Sequence, residues 1–343
     1  MILISQHDIL ARTGKSPEDQ RLDWRGQIRQ ALRTPADLLE FLGLPSEPPP
    51  AAPGPGFRML VPMAFARRIK PQDSADPLLR QVLPDSGEQQ PVSGFSSDPV
   101  GDMASRRAPG VLHKYRGRLL LIVTGACAVH CRYCFRQDFP YAEERAPGRR
   151  WQQALDYLRS SKDVTEIILS GGDPLMLPTR QLIELTRQLT GFSNIKRIRL
   201  HTRMPVVLPD RVTQNLTDWI RGLPWPLVVV IHANHAAEFD AEVDLALARL
   251  RASGAHVLNQ AVLLAGINDR ADVLADLMER AFEAGALPYY LHLLDRVRGA
   301  QRFEVELERG QELVTILRRR LPGYLVPRLV KEDQGMPYKT PIL

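Results

Sequence analysis

Cysteine is scarce in this chain and confined to one place. There are three in 343 residues, and all fall within Cys127-Ala-Val-His-Cys131-Arg-Tyr-Cys134. No thiol remains elsewhere to pair, which excludes a disulfide-stapled secreted scaffold. Long apolar runs are missing too. No stretch of about 18 uncharged apolar residues occurs, the length a membrane span needs. The opening Met1-Ile2-Leu3-Ile4-Ser5-Gln6-His7-Asp8 lacks the basic segment and apolar stretch of a secretory leader. The expectation is a cytoplasmic protein without membrane contact. Concentrated charge of one sign is also absent: the net +6 is dispersed, and Arg318-Arg319-Arg320 lies late on a helical stretch. Such a surplus reads as solvated surface, so no direct nucleic-acid binding is expected.

What is present is an ordinary globular composition, 44% apolar and 24% charged, which argues against overall disorder. The length suits one α/β barrel carrying an extension. Residues 1–105 read as a helical, wrapping extension. Trp24 to Leu44 has helical apolar spacing, with Thr34-Pro35 as a helix start, and another helix is expected near Met63 to Ile69. Pro48-Pro49-Pro50 and Pro53-Gly54-Pro55-Gly56 mark a linker between them.

From Leu119 the pattern turns periodic. Strands are expected at Leu119–Thr124, Glu166–Ser170, Lys196–His201, Leu227–His232, His256–Leu264 and Pro288–Leu294. Helices fall between them at Trp151–Ser161, Thr179–Thr190, Pro209–Arg221, Ala241–Ser253 and Asp269–Gly285. Such alternation demands parallel pairing with right-handed crossovers. Only one further pair follows, Glu304–Leu321 then Tyr324–Leu329, so the barrel is expected to stay open, a partial (β/α)6 arrangement. The organisation is then an extension over 1–105, a barrel over 106–300 and a C-terminal helix, strand and tail over 301–343. The functional residues are expected at the carboxyl ends of the strands.

The cysteine loop directly follows the first of these strands. Three thiolates leave one iron of a four-iron cluster without a protein ligand, since such clusters normally take four cysteines. That opening points to a small molecule as the fourth ligand. The competing reading is zinc, with His130 joining the cysteines. Structural zinc usually ties separated segments together, and here every ligand would be local. A zinc-stabilised RNA-associated protein is the non-enzyme form of that reading.

The spacing C-x3-C-x2-C, with Tyr133 before the last cysteine, resembles the signature of the radical S-adenosylmethionine (radical SAM) superfamily. The resemblance implies a [4Fe–4S] cluster on Cys127, Cys131 and Cys134, with S-adenosylmethionine on the open iron and Tyr133 near its adenine. Ser170-Gly171-Gly172-Asp173-Pro174 resembles the superfamily's glycine-rich element. Gly171, Gly172 and Asp173 are thereby assigned to that ligand, and His232, Asn234 and Gln260 at later strand ends join them.

The closing Gly335-Met336-Pro337-Tyr338-Lys339-Thr340-Pro341 narrows the resemblance. With His113-Lys114-Tyr115-x-x-Arg118, Thr202-Arg203-x-Pro205-Val206, His232-x-Asn234-His235, Asn259-Gln260 and Pro288-Tyr289-Tyr290, the chain resembles lysine 2,3-aminomutases from about Phe57 onward. These radical SAM enzymes also carry pyridoxal 5'-phosphate (PLP). The resemblance implies Lys339 as the Schiff-base lysine, and Lys114, Tyr115 and Arg118 around the phosphate. Arg136 would grip the substrate carboxylate, and Asp295 and Glu332 would face its ε-ammonium. Glu332 is a departure, because the family's usual residue there is the shorter Asp.

Leu294-Asp295-x-Val297-x-Gly299-Ala300 and the Thr-Pro-Ala-Asp-Leu-Leu motif resemble the short bacterial branch that supplies (R)-β-lysine to a ligase modifying elongation factor P. The longer, metal-binding tail of clostridial-type enzymes does not follow Lys339 here. Free lysine, a flavodoxin or ferredoxin as electron donor and a possible homo-oligomer complete the implied partners. A 2,3-aminomutase for another amino acid, such as glutamate, is the enzymatic alternative. The two acids of the side-chain pocket favour a cationic substrate.

Overall fold

The computed structural model describes residues 23–45, 57–144 and 151–342. The proline-rich linker and the opening residues lie outside them. Ten strands form one sheet in chain order. Strands β1 (Arg106–Ala108) and β2 (Val111–Tyr115) form an antiparallel hairpin, and β2 pairs antiparallel with β3 (Arg118–Thr124). From β3 the sheet is parallel through β4 (Glu166–Gly171), β5 (Arg197–Thr202), β6 (Leu227–His232), β7 (His256–Val262), β8 (Leu287–His292) and β9 (Arg328–Lys331). Strand β10 (Thr340–Pro341) turns back antiparallel on β9. No ladder joins β1 to β10 among the described residues, so the barrel is open.

All six expected parallel strands form, within two residues of their expected bounds. Two features of the sheet differ from the sequence reading, and the expected helix at Pro209–Arg221 is a 3-10 turn, Pro209–Arg211, followed by a helix over Gln214–Arg221. The last strand lies at Arg328–Lys331, later than the expected Tyr324–Leu329. Gly323–Leu325 instead makes a 3-10 turn, and Pro327 has no N–H to give a ladder. The β1–β2 hairpin and β10 also widen the sheet at both edges, short elements with no periodic signal of their own.

The strands alternate as two-faced strands must. One set of side chains, including Leu119, Leu121, Ile167, Leu169, Ile198, Leu200, Val229, Ile231 and Leu291, belongs to the main apolar core beneath the helices. The intervening positions form the barrel lining, and many are polar: Arg118, Glu166, Ser170, Arg199, His201, His232, Gln260 and His292. Polar groups at this density are expensive inside a protein unless paired or facing a ligand.

The extension shares the barrel's core through Trp24, Leu38, Leu42, Phe65, Leu78 and Val82. One ladder bridge, between Leu32 and Val61, lies within the extension, and another, between Ser96 and Val297, joins it to the barrel. Its helices at Trp24–Arg29 and Pro35–Phe41 split the single expected span, and Thr34 caps the second through the Asp37 N–H. No helix of the described residues is long and apolar enough to cross a membrane.

Candidate active site

The cysteine loop leaves the carboxyl end of β3 and rests on the turn after β4. Gly172 N–H donates to Thr124 O at 2.7 Å, and Asp173 N–H donates to Ala126 O at 2.8 Å. A Cβ on Gly172 would meet Ala126 O at 2.4 Å; one on Gly171, whose φ is +122°, would meet Thr124 O at 2.3 Å. Only glycine allows so close an approach. Asp173 is wholly committed within the protein: its carboxylate accepts from Leu175 N, Thr202 Oγ1, Arg203 N and Met204 N. Its observed work is to tie the β4 turn to the end of β5, with no oxygen left over for the ligand contact read from the sequence.

The three thiols are free and half-buried. Burial, with Cys131 adding to it, pushes the Cys134 thiol up to about 12, and burial drives Cys127 well above its ordinary value. Cys127 and Cys134 therefore need a metal beside them to be held as thiolates. Among the described residues no His, Cys, Asp or Glu group forms a ready cage for one ion. His130 turns to the extension: its Nδ1 meets Arg58 O, and its ring stacks on Phe57 at 4.9 Å.

Behind the loop lies a buried polar cluster. Tyr133 Oη accepts from Asn234 Nδ2 and Arg203 Nη1, both at 2.7 Å, and donates to Gln81 Oε1 at 3.2 Å. Asn234 Oδ1 accepts from Val262 N–H and pairs with His232 Nε2. Burial and then Arg203 depress His232 to about 4, so its ring is neutral. Gln260 is held in the ladder by its backbone, and its side-chain amide has no hydrogen-bond partner among the described residues. Asn234, by contrast, is fully used in holding Tyr133 and His232.

The lysine side is built by the β9–β10 hairpin. Gly335 takes φ +81°, and Thr340 Oγ1 donates to Asp333 Oδ2 at 2.7 Å. Pairing of Thr340 with Lys331 carries Lys339 inward while Tyr338 stays exposed. The Lys339 side chain is only 21% exposed and ion-pairs with Glu332 Oε2. Glu332 Oε1 accepts from Lys114 Nζ at 2.5 Å, and Lys114 donates also to Asp102 Oδ1 at 3.0 Å. Asp102 Oδ2 accepts from Arg136 Nε at 2.7 Å, and Arg136 Nη1 donates to Ser170 Oγ at 3.2 Å. An unbroken polar chain thus links Lys339 to Arg136, two residues beyond Cys134.

Charge complementarity sets its protonation. Burial alone would raise the Glu332 and Asp102 carboxyls. Lys339 and Lys114 reverse this and hold Glu332 well below the carboxylate range; Arg136 and Lys114 do the same for Asp102. Asp295 shares the region without a direct partner, and burial pushes it up to about 7 against the pull of Lys339. His201 and His292 are kept neutral, first by burial and then by neighbouring cations. His201 Nε2 is buried with no partner.

The site is not confined to the carboxyl ends of the strands. Arg118 opens β3, pairs with Tyr115 in the hairpin register and lies over its ring at 5.0 Å. Glu166 at the start of β4 pairs with Arg199 at 2.7 Å. Tyr115 and Arg118 therefore sit near the amino end, because the antiparallel β2 returns them there. The candidate residues are thus spread along the depth of the lining. Asp102, Gln81, Arg203, Glu238 and His201 were missed as site residues. Arg203 lay inside a motif that resembles the family's, whereas Asp102 and Gln81 carry no local signal.

These residues fit the groups a radical SAM enzyme with a lysine-bound cofactor uses: a three-thiol loop, an uncommitted amide and an orphaned ring nitrogen in the lining, and a chain of alternating charges that ends on Lys339. The Radical SAM superfamily profile matches residues 121–220. An L-lysine 2,3-aminomutase of Escherichia coli K12 is 42% identical over 94% of this chain and 95% of its own length. The Haemophilus influenzae enzyme of that name is 39% identical over 93% and 95%, and the Clostridium subterminale one 30% over 94% and 78%. A solved radical SAM methyltransferase from Sphaerobacter thermophilus, 20% identical with a TM-score of 0.44, covers 64% of this chain and 68% of that one; it is too distant to bear on the site. The protein is a radical SAM enzyme. Within that class the chain belongs to the lysine 2,3-aminomutase family of isomerases. Membership implies a [4Fe–4S] cluster, S-adenosylmethionine and PLP as cofactors.

Proposed function

We propose that this enzyme isomerises L-α-lysine to β-lysine with PLP held on Lys339. The observation that carries the reading is the polar chain Lys339–Glu332–Lys114–Asp102–Arg136, which runs from the C-terminal lysine to the edge of the cysteine loop. When bound, the cofactors supply hydrogen abstraction and migration of the amino nitrogen. The chain's own groups bind and orient. Cys127, Cys131 and Cys134 hold the cluster. Gly171, Gly172, Tyr133, His232 and Gln260 shape the S-adenosylmethionine site, with Asn234 positioning two of them. Lys114, Tyr115 and Arg118 form the cationic, hydrogen-bonding wall for the PLP phosphate. Arg136 offers its planar fork to the substrate carboxylate.

Asp295 faces the substrate ε-ammonium. Glu332, shared by two lysines, balances their charge and releases one of them as cofactor and substrate enter. Two carboxylates in this region disfavour an anionic side chain such as glutamate's. Resemblance to the short bacterial branch supports an R product for β-lysylation of elongation factor P, a flavodoxin or ferredoxin donor and a cytoplasmic setting.

The test is Lys339→Ala on anaerobically purified protein. The expected result is loss of the PLP absorbance band and of β-lysine formation, with iron and sulfide retained. Wild-type turnover by that variant would refute the role of Lys339. Chiral analysis of the wild-type product checks the R assignment.

A further inference from the structure

Arg203 follows β5 and is 7% exposed. Its Nη1 donates to Cys131 Sγ and Tyr133 Oη, each at 2.7 Å; its Nη2 donates to Gln81 Oε1 at 2.6 Å and Glu238 Oε2 at 2.8 Å. Phe65 of the extension lies 5.4 Å from the guanidinium carbon. Glu238 is itself fixed, its Oε1 accepting from Asn234 N–H at 2.7 Å and Gln81 Nε2 at 3.2 Å. The neighbouring Arg132 is turned elsewhere, with its fork on Glu88 and Phe57 O. A single clamped cation therefore touches one cysteine sulfur, the tyrosine of the same loop and, through Glu238, the backbone of Asn234.

We infer that Arg203 is a positioning residue that tunes the reduction potential of the cluster through Cys131, with Glu238 as the opposing charge. The inference rests on the proposed cluster at the three cysteines. Hydrogen bonds to ligand sulfurs and nearby net charge set such potentials. A donor and positive charge at Cys131 favour the reduced state, which carries one more electron. The Glu238 carboxylate works against it. Because Tyr133 and Asn234 share the clamp, the same contact aligns the nucleoside side of the site with the sulfur.

The experiment is a mediated dithionite titration, monitored by electron paramagnetic resonance, on the reconstituted full chain and on Arg203→Gln, Arg203→Lys and Glu238→Gln. Arg203→Gln is expected to disfavour one-electron reduction about tenfold, equivalent to about 59 mV. Glu238→Gln is expected to shift it the opposite way, and Arg203→Lys to keep most of the wild-type potential. If Arg203→Gln does not fold, the other two variants decide between a charge effect and a packing role. A merely structural residue would lower cluster content without opposite-signed shifts. Unchanged potentials with a full cluster overturn this inference alone. Absence of iron and sulfide from the wild-type protein overturns it together with the cluster reading.

Discussion

Glu332 joins Lys339 to Lys114, one carboxylate oxygen on each ammonium. A residue read from the sequence as a substrate contact is thus also the hinge of the lysine side. The Glu side chain is long enough to reach both cations; an Asp, one methylene shorter, would have less reach.

Glu332→Gln leaves two largely buried ammonium groups facing each other with one counter-charge fewer. The expected loss is about 3 kcal/mol of stability, the scale for breaking a buried pair. Urea denaturation of the anaerobically prepared variant measures it. A loss below a few tenths would mean that solvent screens the pair.

Asp295→Asn should raise the KM for lysine tenfold to about a hundredfold with a smaller change in kcat, the scale of one lost charged hydrogen bond. The wild-type pH profile carries the same information. The Asp295 carboxyl lies at about 7 in the free protein, and only its ionised form attracts an ammonium. Lysine affinity should therefore rise as pH climbs through about 7, and this rise should vanish in the variant.

Asp102 links Arg136 to Lys114, and its carboxyl is held below the ordinary range by Arg136 and Lys114 against burial. A folded-state value below the unfolded one gives stability that is present above the unfolded pKa, about 3.9, and lost as pH falls through the folded value. Asp102→Asn should therefore cost about 3–5 kcal/mol near neutrality and less in acid. Denaturant midpoints for both proteins at pH 7 and near pH 3 test this, the expected gap narrowing at the lower pH.

Gly172→Ala places a methyl 2.4 Å from Ala126 O, a contact that backbone cannot absorb without moving. The cysteine loop should shift while the barrel stays folded. Iron bound per chain is expected to drop severalfold with little change in circular dichroism. Full iron loading would show that the loop tolerates displacement.

Local sequence was enough for much of this protein. The strand–helix alternation after Leu119 was legible because side chains facing helices must be apolar, and that period survives without any knowledge of contacts. The C-x3-C-x2-C loop and Lys339 near Pro337 and Pro341 stood out because each is a short local motif that resembles one of the family's; the resemblance, not the local chemistry, assigned their roles. Register alone decided that Tyr115 and Arg118 lie near the amino end of the barrel, since β2 runs against β3. Tertiary folding also delivered Gln81 and Asp102 from the extension, which sequence marks as ordinary polar residues. Ion pairs over 200 residues apart, such as Lys114 with Glu332, leave no periodic trace. Electrostatic partnership depends on distance through space, and the chain order does not encode it.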